Sequence, residues 1–156
     1  MTGHTITSSA ILDAPADEVF DTITDLSRLP EWNTAITGVI EQPAQLEVGA
    51  EWVVAMHALG QSWHSRSEVD ALDLARRRFA YRSATDDGNP SQAQWTWDVG
   101  DHPHGTCVTV TVELHPRTFW RRHLLVRIRA RQLARSELPG SLSALDAATR
   151  HSAPHR

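Results

Sequence analysis

The chain has 156 residues, of which 40% are hydrophobic and 22% charged, values that predict one globular domain with a single core. Its formal net charge of -4 argues against nucleic-acid binding, because phosphate recognition normally requires clustered excess cations. The 15 cationic residues are all arginines, so Schiff-base chemistry through a lysine amine is excluded.

The sequence shows no sign of export, stable membrane insertion or cofactor binding. Residues 1–4 do not form a basic leader, and no apolar segment approaches the roughly 20 residues that span a bilayer. We therefore expect a cytoplasmic protein, and both a monomer and a homodimer are compatible with the sequence. The single cysteine, Cys107, excludes an internal disulfide. Because no glycine-rich phosphate loop or nucleotide fingerprint is present, and Cys107 alone cannot build a cysteine-rich metal site, we expect no cofactor and no metal.

The first predicted elements are a strand and two short helices. The strand runs from Thr5 to Asp13 and is followed by Pro15, whose fixed φ and missing N–H suit the first turn of a helix. Apolar residues then recur at helical spacing, so one face of this helix is buried. Asp25 can cap a following turn, and Pro30 keeps the second helix short.

Period-two alternation between turn signals predicts six further strands, as in an antiparallel meander. These strands lie near residues 36–41, 51–59, 62–72, 77–84, 92–99 and 106–115. In the strand that begins at Ser62, the alternate residues from Trp63 onward are the less polar set. This set should face the core, because successive side chains of a strand point to opposite faces.

The turn at Gly60-Gln61 sets the predicted pairing of the neighbouring strands. If this turn contains two residues, Trp63 lies opposite Ala58 on the inner face, and His64 lies opposite His57 on the outer face. Two imidazoles without a third protein ligand are a poor zinc site. We therefore interpret the histidines as an exposed pair.

A long amphipathic helix is predicted from about Phe119 to Ala148. Its apolar stripe, which can lie across the concave side of a curved sheet, contains Trp120, Leu124, Ile128, Leu138, Leu142 and Leu145. Pro139-Gly140 should kink this helix. We place a single domain at residues 4–149, followed by a flexible tail at 150–156.

Residues 12–33 carry the most specific motif of the chain. Leu12 is followed by Asp13-Ala14-Pro15. The second short helix carries the pattern L-x-x-L-P-x-W, which begins at Leu26 and ends at Trp32. This pattern resembles the START-like or SRPBCC superfamily, in its branch of polyketide cyclases/dehydrases and lipid-transport proteins. The resemblance covers Thr5 to Ala148. It implies an α+β helix-grip fold, in which a seven-stranded curved antiparallel sheet and a long C-terminal helix over its concave face enclose a cavity for a small molecule.

An aromatic set dominates the face that is predicted to point inward. Four of the six tryptophans belong to it, together with a phenylalanine and the single tyrosine. The candidate ligand-binding residues on the strands are Trp52, Val54, Met56, Trp63, Ser65, Ser67, Phe79, Tyr81, Ser83, Trp95, Trp97, Val108 and Val110, and those on the last helix are Leu124 and Ile128. Ligand cavities are typically apolar with a few placed polar groups. The alternative is that these side chains simply fill the interior.

Three further residues are candidates at the edge of the cavity. Arg131 and Arg135 fall within the apolar stripe of the last helix and could hold a carboxylate or an enolate. Alternatively, their stems pack while their guanidinium groups reach solvent. Trp32 ends the second helix near the cavity opening that the resemblance implies, so it is a gate candidate, with plain packing as the alternative.

Two functions are compatible with these residues. The favoured one is binding of a small, largely apolar or aromatic ligand of polyketide, lipid or hormone-like type. The alternative is an aromatase/cyclase or a dehydratase, which would act without a metal or nucleotide. The predicted parity places no Asp, Glu or His inward on the central strands, which leaves Tyr81, the inward serines or Arg131 and Arg135 for proton transfer, and Tyr81 is the candidate catalytic residue. Whether the chain catalyses a reaction is left open by the sequence.

Overall fold

The computed structural model describes residues 4–58, 60–85, 92–115 and 126–152 of the chain. The segments with period-two alternation form seven strands in these ranges. They are β1 (His4–Leu12), β2 (Ile36–Glu41), β3 (Glu51–Ala58), β4 (Gln61–Asp73), β5 (Arg78–Thr85), β6 (Gln92–His102) and β7 (Gly105–His115). Neighbouring strands pair antiparallel in the order β1-β7-β6-β5-β4-β3-β2. The predicted seven-stranded antiparallel sheet is confirmed.

The helices also occupy the places predicted for them. After β1 come α1 (Ala16–Thr24), a 3₁₀ turn (Leu26–Arg28) and α2 (Leu29–Trp32). Asp25 caps the 3₁₀ turn, because its carboxylate accepts from the backbone N–H of Ser27 at 3.2 Å. The C-terminal helix consists of α3 (Val126–Gln132), a π-helical turn (Leu133–Glu137) and α4 (Leu138–Ser152). It continues past position 149, the predicted end of the domain, and its predicted start at Phe119 lies outside the described residues.

The hydrophobic core lies between the inner face of the sheet and the helices. Leu138, Leu142 and Leu145 of the predicted stripe are all buried, and α4 packs against α1, α2 and β1. On the sheet, the inward residues of β6 and β7 alternate with outward ones in burial. The helix-grip arrangement expected from the resemblance is thus confirmed, with the helices on one side of the sheet.

The register between β3 and β4 differs by two residues from the predicted one. The paired residues nearest the turn are Ala58 and Gln61, so the connecting residues are 59–60 and not Gly60-Gln61. Gly60 has a φ of +73°, the left-handed conformation that two-residue hairpin turns favour. The shift by two leaves every side chain on its predicted face, because the side-chain period of a strand is two.

The register also separates the two histidines that the sequence pairs. His57 lies opposite Ser62, and its Nδ1 is 2.8 Å from the Ser62 hydroxyl, whereas His64 lies opposite Ala55. The predicted direct histidine pair is therefore wrong. Within the described ranges, no group of three or more His, Cys, Asp or Glu side chains could hold a metal ion.

The C-terminal helix changes phase at the π-helical turn. The backbone N–H of Leu138 donates to the carbonyl of Leu133, a span of five residues in place of the usual four. Pro139 follows immediately and has no N–H for the carbonyl of Arg135, so the regular ladder is already interrupted here. This extra residue rotates the upstream segment by about 100° relative to α4. Leu133 and Arg129 therefore take the inward positions, just upstream of the predicted kink.

The β6–β7 hairpin lies close against the end of β1. Its turn ends at Gly105, whose φ of +140° is rarely adopted by residues with side chains. A Cβ at this position would lie 2.1 Å from the carbonyl oxygen of Leu12. The adjacent Thr106 hydroxyl donates to the carbonyl of Ala14 at 2.5 Å. Gly105 thus permits the close approach between the hairpin and the segment that leads into α1.

We expect Gly105→Ala to lower the free energy of unfolding by about 2 kcal/mol or more, because the new Cβ would force backbone atoms apart. Urea unfolding followed by tryptophan fluorescence measures this change. Gly100→Ala is the matched control in the same hairpin, since no heavy atom of the described residues lies within 4 Å of the added Cβ. Equal stabilities of the two variants would show that the close approach does not matter.

Candidate functional site

A cavity of about 620 Å³ lies between the curved sheet and the N-terminal part of the C-terminal helix. Its volume is within the range of about 300–1,000 Å³ that is usual for small-molecule sites. Strands β3 to β7 form its floor, and Leu29 and Asn33 contribute a side wall at α2. Ile128, Arg129 and Leu133 form its roof. The described interior is therefore not a completely filled core.

Aromatic rings form one part of the cavity wall. Trp52, Tyr81 and Trp95 line the cavity and are at least nine-tenths buried. The ring of Tyr81 lies edge-on to Trp52, with centroids 4.9 Å apart, and is stacked on Trp95 at 6.1 Å. Such packing fixes the orientation of each ring. The wall therefore presents a rigid aromatic surface to anything in the cavity.

Tyr81 carries a polar group at this aromatic surface. Its phenol oxygen accepts a hydrogen bond from Nε1 of Trp97 at 3.1 Å. Burial raises the pKa of Tyr81 well above its ordinary value, the Trp97 hydrogen bond opposes this shift, and the negative charge of Glu137 adds to it. The phenol therefore stays protonated. Among the described residues none accepts from its O–H, which can donate to an acceptor in the cavity.

Hydroxyl groups form a second part of the wall, next to the rings. Ser67 on β4 lies opposite Ser83 on β5, and their hydroxyl oxygens are 2.6 Å apart. Ser65 and Thr85 are the next inward pair on the same two strands. All four residues line the cavity. This wall can both donate and accept hydrogen bonds.

Most of the predicted strand residues lie where the sequence places them. The predicted residues that line the cavity are Trp52, Val54, Met56, Trp63, Ser65, Ser67, Tyr81, Ser83, Trp95 and, on α3, Ile128. Phe79, Trp97, Val108 and Val110 are buried but do not line it, because they lie in the packed part of the core. Leu124 lies outside the described residues.

Trp32, the predicted gate candidate, is buried and does not line the cavity. Only 1% of its surface is exposed, and its ring lies edge-on to Trp97 at a centroid distance of 5.2 Å. Its Nε1–H has no hydrogen-bond partner among the described residues. The indole is therefore part of the packed core. Its neighbours Leu29 and Asn33 are the residues of this segment that reach the cavity.

Arg131 and Arg135 do not reach the cavity, contrary to the expectation from the apolar stripe. Both are exposed, and neither lines the cavity. The physical reason is the π-helical turn, which rotates these positions outward and brings Arg129 to the cavity wall instead. A regular helical period does not place Arg129 among the inward residues, so the sequence pattern gives no sign of its position at the cavity. Pro139 is the one sequence signal that marks the irregularity.

Arg129 is held by the buried carboxylate of Glu137, which no sequence pattern singles out. Its Nη1 and Nη2 atoms donate to the two carboxylate oxygens of Glu137, the Nη2 contact being 3.2 Å, and Nη1 also donates to Oε1 of Gln132. The side chain of Glu137 is 1% exposed and that of Arg129 is 21% exposed. The guanidinium also lies over the ring of Trp63, 5.9 Å from its centroid. A fixed cation therefore belongs to the roof.

Comparisons with known proteins agree with this architecture. The sequence model of a family described as polyketide cyclase/dehydrase and lipid transport matches residues 3–148. The structure of TTHA0849 from Thermus thermophilus is similar with a TM-score of 0.75 at 18% identity, over 97% of this chain and 100% of that chain. The Zhui aromatase/cyclase from a Streptomyces species has a TM-score of 0.71 at 18% identity, over 96% and 94%.

A plant protein has the same fold. The major latex-like protein 151 of Panax ginseng has a TM-score of 0.74 at 11% identity, over 99% of this chain and 100% of that chain. At these identities, the structural similarities show the fold alone. No curated protein sequence matches the chain. Within the described ranges, every helix is too short or too polar to cross a membrane.

The raised pKa of Tyr81 predicts a loss of stability at alkaline pH. The unfolded phenol ionises near pH ~10, whereas the folded phenol keeps its proton to higher pH, so the free energy of unfolding should fall above about pH 10. The Tyr81→Phe variant should lack this decrease in the free energy of unfolding at alkaline pH. Denaturant unfolding at neutral and alkaline pH measures the difference between the two proteins.

Tyrosinate absorbance provides an independent check, because Tyr81 is the single tyrosine of the chain. The folded protein should show little tyrosinate at pH ~10, and the signal should appear on unfolding. A normal titration in the folded protein would show that the phenol is not buried.

Proposed function

Because the chain belongs to the family of polyketide cyclases/dehydrases and lipid-transport proteins, we propose that it binds a small, largely apolar or aromatic molecule in the cavity between sheet and helix. The observation that carries this proposal is the cavity of about 620 Å³, whose lining includes aromatic rings and hydroxyl groups. A ligand there would exchange water for apolar surface, which is the main driving force for such binding.

The distribution of polar groups supports a ligand with a flat ring and at least one oxygen acceptor. Trp52 and Trp95 contribute aromatic surface to the wall, and aromatic ligands gain buried area from contact with such surfaces. Tyr81 offers a donor between them, and the pair Ser67 and Ser83 lies on the adjacent rows of the sheet. A buried carbonyl or hydroxyl needs such partners, because an unpaired polar group costs free energy.

A second candidate function is supported by one observation, the protonated Tyr81 in the cavity wall. A phenol that stays neutral can donate to a carbonyl oxygen as negative charge develops there, as enolisation and aldol-type cyclisation require. The Zhui protein with the same fold is named as an aromatase/cyclase. None of the described lining residues is Asp or Glu, and the one imidazole among them, that of His115, belongs to an exposed residue at the end of β7. Binding without turnover is therefore the favoured proposal.

A cytoplasmic location, a monomeric or dimeric state and the absence of nucleic-acid partners stay predictions from the sequence. The formal charge of -4 bears only on the last of them, because nucleic-acid binding normally requires excess cations. The proposed ligand role of the lining residues does not depend on any of them.

A substitution that fills the cavity should abolish most of the binding. Ala93 lines the cavity from β6, and Ala93→Leu adds apolar volume there without removing a hydrogen bond. We expect the affinity for N-phenylnaphthylamine, a neutral apolar fluorophore, to fall at least about tenfold, or ~1.4 kcal/mol. Saturable quenching of tryptophan emission measures it.

Ala55→Leu is the matched control for this experiment. Ala55 is half-buried on the opposite face of β3 and does not line the cavity, so its substitution should leave the affinity within about twofold. The fluorophore does not bind in the cavity if quenching of the wild-type protein fails to saturate. The same conclusion follows if the wild-type protein, Ala93→Leu and Ala55→Leu have equal affinities.

Tyr81→Phe separates the two candidate functions. Since it removes one neutral donor, it should change the affinity for an aromatic ketone by less than about tenfold, roughly 1.4 kcal/mol. If the chain cyclises or dehydrates a poly-β-ketone, the same change should lower turnover by about a hundredfold or more. Product formation by mass spectrometry measures turnover, and an unchanged rate would remove Tyr81 as the proton donor.

A further inference from the structure

We propose that Arg129 forms a subsite for a planar anion with two oxygen atoms, a carboxylate above all, at the roof of the cavity. The inference rests on the proposed ligand-binding function and specifies the chemical class of the ligand. It would make the ligand amphipathic, with an aromatic body against the tryptophans and an acidic end against the helix.

The first observation is that one edge of the guanidinium is already anchored. The carboxylate of Glu137 accepts hydrogen bonds from Nη1 and Nη2 of Arg129. Oε1 of Gln132 accepts a further hydrogen bond from Nη1. The amide of Gln132 also donates to Glu137 at 3.2 Å. Glu137 and Gln132 do not line the cavity. The anchor therefore lies outside the cavity wall and leaves the cavity side of the guanidinium for another partner.

The second observation is the set of donors that remain. A guanidinium has five N–H groups, and the three used above leave Nε–H and the second hydrogen of Nη2. These two lie side by side on one edge. Among the described residues neither has an acceptor. Two parallel N–H groups match the two oxygens of a carboxylate, which a single hydroxyl or carbonyl cannot do.

The third observation is the charge of the cavity wall. Arg129 is the permanent cation among the described lining residues, and none of those residues is Asp or Glu. Glu137 neutralises part of its charge, but the carboxylate is 1% exposed and lies behind the guanidinium. An anion in the cavity would therefore meet the cation before the carboxylate. Among the described lining residues, an organic cation would find no partner of opposite charge.

Trp63 gives the subsite its orientation and its aromatic neighbour. Its ring lies beneath the guanidinium at 5.9 Å and also lines the cavity. The cation–π contact favours a guanidinium that stays in place rather than one that swings to solvent. The same indole offers a surface to a ring attached to the carboxylate. An aryl carboxylate therefore fits both groups.

Isothermal titration calorimetry with naphthoate and its methyl ester tests the subsite at neutral pH. The two probes have nearly the same shape and differ in charge. The wild-type protein should bind naphthoate at least about tenfold more tightly than the ester. Arg129→Gln alone would leave the buried Glu137 without its cation, so the test uses the double variant Arg129→Gln/Glu137→Gln, which removes both charges and keeps hydrogen-bonding amides.

The double variant should bind naphthoate about tenfold more weakly and the ester within about threefold of wild type. Arg131→Gln is the matched control, because it removes an equal charge two positions away on the exposed side of the helix and should change neither affinity. The subsite is overturned if the wild-type protein does not prefer naphthoate to the ester. It is also overturned if the double variant keeps this preference, or if Arg131→Gln loses it to the same extent. If the wild-type protein binds neither probe, the proposed function itself is overturned.

Discussion

The cavity depends on a decrease in side-chain size along adjacent strands of the sheet. The inward residues of β5 run Phe79, Tyr81 and Ser83, and their partners on β6 run Trp97, Trp95 and Ala93. Phe79 and Trp97 at one end are buried in the packed core, whereas Ser83 and Ala93 at the other end line the cavity. Protein interiors otherwise pack with few voids, so a row of small residues beneath a helix leaves a space.

The roof of this space depends on a single irregular turn. Pro139 cannot continue the regular helical ladder, and the π-helical turn before it places Leu133 and Arg129 over the cavity. The hydroxyl of Thr34 donates to the carbonyl of Glu137 at 3.4 Å, and its backbone N–H donates to Ser141 at 3.1 Å. Since Thr34 follows Asn33 directly, the same contacts tie the roof to the side wall at α2.

The sequence predicts the sheet better than it predicts the helix, for a physical reason. A strand has a side-chain period of two, so the two-residue register error at Gly60 left Trp63 and Ser65 on their predicted face. A helix extrapolated across one π-helical turn loses its phase, and Arg131 and Arg135 were placed inside for this reason. Trp32 could not be assigned from its position alone, because its burial depends on a long-range contact with Trp97.

The pair Arg129 and Glu137 is hard to explain by stability alone. Burying the Glu137 carboxylate and most of the Arg129 guanidinium costs desolvation free energy that their attraction often fails to exceed, and apolar residues of similar size commonly serve the core as well. The neighbouring Leu133 and Leu138 show that this part of the helix tolerates apolar residues at buried positions. A carboxylate behind the guanidinium, however, fixes the direction in which the remaining N–H groups point. The proposed recognition of a ligand accounts for the position of the cation at the cavity wall, whereas packing alone does not require it.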